Sequence, residues 1–131
     1  MEEALLAYLK ADSGLSSLVS SRIYWVLAPQ NAVKPYIRLL GVGRGIDRAH
    51  GGASGLGRRR IQVDIYGTTY LEALTIERAV VALLNNNRFV QSSVRMEAFL
   101  DSARDLTEDD AAKTPIIFRQ SLDFMVTYAT V

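Results

Sequence analysis

The sequence predicts an α+β domain: a mainly antiparallel sheet of about five strands, with a long helix and an N-terminal helix packed on one face. Three observations predict it. Residues 69–85 carry apolar side chains at helical spacing behind a capping sequence. Residues 60–66 and 115–129 alternate apolar and polar with a period of two. The helices are also segregated from strands joined as hairpins, which favours α+β over a parallel α/β sheet.

The elements follow in order. From Glu2 to about Asp12, Leu5, Leu6 and Leu9 share one helical face, away from Glu2, Glu3 and Lys10. Asp12-Ser13-Gly14 stops this helix, with Gly14 suited to a left-handed cap. Leu15 to Ser20 reads as a short helical turn, and Arg22 to Leu27 as a strand rich in β-branched and aromatic residues. Pro35 opens a second strand, Tyr36 to about Val42, because proline suits a strand entrance. In the third, Arg60 to Tyr66, Ile61, Val63 and Ile65 face a core.

Thr69-Tyr70-Leu71-Glu72 matches a capping box, with the Thr69 hydroxyl accepting from the Glu72 N–H. The helix behind it runs to about Asn85, and Ala73, Ile76, Val80, Leu83 and Leu84 form its core stripe. Leu71, Leu74 and Val81 fall outside the stripe and are candidates for an apolar interface with a neighbouring chain. Val90 to Leu100 alternates as a fourth strand. The fifth, Pro115 to Ala129, puts Ile116, Phe118, Leu122, Phe124, Val126 and Tyr128 on one face, broken by Gln120. A dozen extended residues span ~40 Å, longer than an ordinary strand.

The 131 residues form a single domain, 1–131, with a flexible Gly/Arg-rich loop at about 43–58 and an acidic loop at about 101–114. There is no cysteine, so no disulfide framework and no thiol nucleophile. The acidic start, Met1-Glu2-Glu3, is unlike a secretory signal, and the aliphatic run from Ala79 to Leu84 is too short for a bilayer. A soluble protein made in a cytoplasm is expected. An apolar content of 49% and a mean hydropathy of +0.08 point to buried surface beyond one core.

A formal net charge of +1 hides two opposite regions. Arg44, Arg48, Arg58, Arg59 and Arg60 make one loop region basic, while Asp105, Glu108, Asp109 and Asp110 make the other acidic. Arg58 and Arg60 should share one side of the third strand, whereas Arg59 shares the side of Ile61 and must reach outward past the sheet end. The patch can be a solvated strand entrance, a surface offered to nucleic-acid phosphates, or half of a contact with the acidic loop of another copy. Complementary patches at different places on one subunit favour head-to-tail contacts, which close into a ring if the rotation allows.

No catalytic, cofactor or metal site emerges. His50, the sole histidine, shares a glycine-rich loop with Asp47 and Ser54, and such a loop cannot hold a reacting geometry. Glu108-Asp109-Asp110 lacks the alternation of a calcium loop. Gly41-Val42-Gly43-Arg44-Gly45 lacks the spacing of a dinucleotide loop and the Gly-Lys-Ser/Thr ending of a phosphate-binding loop.

The ordered set of Leu15-Ser16-Ser17-Leu18-Val19, Arg22-Ile23-Tyr24, Ala28-Pro29-Gln30, Pro35-Tyr36-Ile37 and Ile61-Gln62-Val63-Asp64-Ile65-Tyr66-Gly67 leads into the helix with Glu72-Ala73. Leu122-Asp123-Phe124 closes it. Together these resemble the tail-completion, or tail-terminator, family of long-tailed bacteriophages. The resemblance implies a non-enzymatic virion protein without cofactor that forms a ring, as a homohexamer, at the neck end of the tail. There it would end tube growth and provide the head-joining surface. Its partners would be copies of itself, the major tail-tube protein, a head-completion connector and genomic DNA passing through the lumen, with no membrane. Another neck connector, or a small DNA-binding module using the arginines, is the alternative. The two charged loops carry no motif of that family; from their charge, Arg44, Arg48, Arg58, Arg59, Arg60, Asp105, Glu108, Asp109 and Asp110 are expected at lumen or subunit surfaces.

Overall fold

The computed structural model describes residues 1–42, 57–107 and 117–130. Helix α1 (Glu2–Ala11) and helix α2 (Ser13–Val19) precede strands β1 (Ile23–Trp25), β2 (Tyr36–Val42) and β3 (Gly57–Gly67). Helix α3 (Tyr70–Leu84) follows, then β4 (Asn87–Gln91), β5 (Val94–Asp105) and β6 (Phe118–Thr130). The strands form one sheet in the order β1-β2-β3-β6-β5-β4, antiparallel throughout except for the parallel pair of β1 and β2. Helices α1 and α3 pack against it and α2 packs on both, closing one core.

The sheet has six strands, where the sequence led us to expect about five. Residues 90–100, read as one strand, contain a hairpin whose two turn residues, Ser92 and Ser93, take φ of 52° and 62°. Paired positive φ angles match the twist of a two-residue hairpin. Ser-Ser lacks the Asn-Gly signature of such turns, and Val94, Met96 and Ala98 carry the alternation straight on behind it. β5 also continues to Asp105 across a bulge between Leu100 and Ser102, into the expected acidic loop. Likewise Gly57 and Arg58, expected in the basic loop, belong to β3. Residues 43–56 and 108–114 of the two loops lie outside the described residues.

Local chemistry explains the helix ends. Asp12 is extended and its carboxylate accepts from Leu15 N at 2.8 Å, so one residue ends α1 and caps α2. Gly14 therefore sits in the first turn of α2 instead of in a left-handed cap. Thr69 Oγ1 accepts from Glu72 N at 3.1 Å, as expected. The Glu72 carboxylate reaches one residue further back, accepting from Thr68 N and Oγ1 at 2.9 and 2.8 Å. At the other end Asn86 takes the left-handed exit with φ of 60°, and Asn87 Nδ2 donates to the carbonyls of Ala82 and Leu83.

The core lies between helices and sheet. Ala73, Ile76, Val80 and Leu84 of α3, with Leu5 and Leu9 of α1 and Leu15 of α2, are closed from solvent. They meet Ile37, Leu39, Ile61, Val63, Ile65, Leu122, Phe124 and Val126, which occupy one parity of the three central strands. All these belong to one cluster. The opposite parity forms a sheet face on which no described helix packs.

Candidate functional surface

The helix-free face is strongly arginine-rich. Register places Arg38 of β2, Arg58 and Arg60 of β3, Arg119 of β6, Arg95 and Arg104 of β5 and Arg88 of β4 on it. Against these seven arginines stand four carboxylates, Asp64, Glu97, Asp101 and Asp123, a net charge of +3. The near-neutral whole chain conceals this local excess.

Its centre is Asp64, fully buried although its strand neighbours Val63 and Ile65 point to the opposite side. Arg38 lies directly across from it on β2, and Arg119 one diagonal step away on β6. Both guanidiniums donate to Asp64 Oδ2 at 2.9 Å, while Gln62 donates to Oδ1 at 2.9 Å. Burial pushes the Asp64 carboxyl up, but the hydrogen bonds from Arg38 and Gln62 and the charge of Arg119 outweigh it, holding the group below its ordinary value. Tyr66 lies beneath the two cations, its ring centroid 5.8 Å from Arg38 Cζ and 5.5 Å from Arg119 Cζ. It stacks on Tyr36 at 4.7 Å, and Tyr24 meets Tyr36 edge-on at 6.0 Å. Further along, Asp123 Oδ2 accepts from Ser102 at 3.0 Å and Arg104 at 3.3 Å. Asp64 and its partners were absent from the expected site, because sequence alone lacks the cross-strand register. The available signal was a carboxylate in the polar phase of a central strand, with arginines in the same phase of two other strands.

The expected basic stretch divides as its alternation requires. Arg58 is exposed on the helix-free face, and Arg60 on the same face pairs with Asp101. That pair joins the basic and acidic regions within one chain. Arg59 points to the helix side, where it pairs with Glu2 of α1. Its guanidinium lies across Gly41, and a Cβ there would collide with it. Asp105 is exposed; hydrogen bonds from the Thr107 hydroxyl and N–H lower its pKa. Leu71 is exposed, Leu74 half-buried, and Val81 packs partly against the core. Arg44, Arg48, Glu108, Asp109 and Asp110 lie outside the described residues, as does His50.

The described residues gather no group of three His, Cys, Asp or Glu able to hold a metal, and no described helix is long and apolar enough to cross a membrane. What they display is a charged, tyrosine-backed sheet face. The chain belongs to the tail completion protein gp17 family, whose model matches residues 3–129. No curated protein matches the sequence. Among solved structures the fold is similar to a chain described as "Virion of native gene transfer agent (GTA) particle". That similarity has a TM-score of 0.70 at 16% identity, covering 99% of this chain and 93% of the other. A second solved chain is similar with a TM-score of 0.55, also at 16% identity, covering 99% and 89%.

Proposed function

We propose that the protein is a structural tail-completion subunit that forms a ring at the head-proximal end of a phage-type tail tube. There it ends tube polymerisation and offers the surface that joins the head. Family membership over nearly the whole chain carries this reading, and the fold shared with a chain from a virion-like particle supports it. The helix-free face suits the lumen of such a ring. Its charge is net positive, yet most of its guanidiniums are already tied to carboxylates or tyrosine, which favours smooth passage of DNA over tight grip. Its nearest partners would be its own copies, the major tail-tube protein and a head-completion connector.

Light scattering on the isolated protein, and negative-stain images after mixing it with tail-tube subunits, test this. We expect rings, free or seated on one end of each tube. A protein that stays monomeric and is never found at a tube end would sink it.

The seven arginines on one face support a second reading, a DNA-binding module. It requires salt-dependent retention on DNA that weakens when Arg58 and Arg60 become Ala, with Arg59 left in place because it braces α1. No retention at low salt would rule this out.

A further inference from the structure

Away from the arginine face, the helix layer holds a groove of about 550 Å³ between α1 and the β1–β2 edge of the sheet. Leu6, Ala7, Trp25 and Val26 line it, with Glu3 and Lys10 at its α1 side. The ion pair of Arg59 with Glu2, beside Gly41, closes its floor. Val26 in its lining is 53% exposed, and the following residue Leu27 is 77% exposed. Trp25, Val26 and Leu6 leave this groove open for a side chain from another copy.

The outer side of α3 presents apolar and basic side chains to solvent. Leu71 is 67% exposed, Leu74 is half-buried outside the core cluster, and Thr75 and Arg78 are exposed along the same side. Leu71 and Arg78 stand seven residues apart, as do Glu3 and Lys10 on α1, a rise of about 10.5 Å in each helix. Laid antiparallel, the two helices bring Leu74 and Thr75 to Leu6 and Ala7, and Arg78 to Glu3. Glu3 and Arg78 have no ion-pair partner among the described residues. The Thr69 cap and the Glu72–Thr68 bonds tie down the start of α3, which lowers the cost of ordering Leu71 at a contact.

We propose that α3 of one copy seats antiparallel in the α1–β1 groove of the next, with Arg78 facing Glu3. This rests on the ring reading and specifies which surfaces make the ring. Groove and helix are different patches, so the contact is head-to-tail and repeats from copy to copy, closing into a ring where its rotation divides a full turn.

The cysteine-free chain makes the test clean. A double variant, Ala7→Cys with Thr75→Cys, is oxidised in isolation and on tail tubes, then run on a non-reducing gel. The contact predicts a ladder of dimer, trimer and higher species, while each single variant stays monomeric. Dimers from a single variant would show a two-fold contact and overturn the proposal. In parallel, Glu3→Arg and Arg78→Glu should each weaken association about tenfold, and together restore it. Melting curves first establish that each variant is folded. Rings that form normally but neither cross-link nor respond to charge reversal would overturn this contact and leave the ring reading intact. Wild-type protein that never assembles, alone or on tubes, would overturn both.

Discussion

Val63 and Asp64 are neighbours on β3, both closed off from water, and for opposite reasons. Val63 faces the helices within an apolar cluster that draws on all three helices and every strand. Asp64 faces away from any described helix and is paired with two guanidiniums, Arg38 and Arg119. The inner face is held by area removed from water, which responds little to pH or salt. The outer face is held by paired charges, whose value depends on geometry and on every partner being present. Both faces of one sheet thus contribute to stability, one by burial and the other by pairing.

Substitutions on each side can break this comparison. The largest expected effect is on the inner face, where Phe124→Ala should cost about 3–5 kcal/mol in urea unfolding through a cavity in the filled core. A loss below about 1 kcal/mol would mean the core is not packed as described.

Nearly as large is Asp64→Ala, which strands Arg38 and Arg119. Because their side chains are 26% and 21% exposed, water softens the penalty, and about 3 kcal/mol is expected. The same carboxylate sets a pH dependence. Its folded pKa is lowered, so its contribution is fully present above the unfolded value of about 4 and is lost as pH falls through the folded value. Wild-type protein should therefore lose more stability than Asp64→Ala in acid below about pH 4. Parallel pH profiles would show Asp64 to be unpaired.

Gly41→Ala sharpens the comparison at the rim, where an inner-face position is crossed by an arginine. Displacing Arg59 from Glu2 should cost about 1–2 kcal/mol by thermal melting, and Arg59→Ala should remove most of the penalty. Smallest of all is Glu97→Gln. It breaks the Arg88 pair on the outer face, and with Arg88 69% exposed the change in melting should stay within about 0.5 kcal/mol.

How much of this was legible in the sequence also divides by face. Ala73, Ile76, Val80 and Leu84, and the alternation in β3 and β6, are read from periodicity because burial acts on each side chain separately. The Thr69 cap is equally local. The Asp64 cluster is not, since Arg38 and Arg119 lie 26 and 55 residues away in the chain and meet only through register. The fate of Arg59 was half visible: its side of the strand follows from alternation, its partner Glu2 does not. The Ser92-Ser93 hairpin escaped because its turn depends on backbone angles these residues seldom advertise.

The central claim, that these surfaces end a growing tail tube, is most directly tested by tube length. Tail-tube subunits polymerised with increasing amounts of this protein, and measured by electron microscopy, should stop growing as each head-proximal end acquires a ring. Tubes that elongate at the same rate to the same lengths, whatever amount of the protein is present, would contradict it.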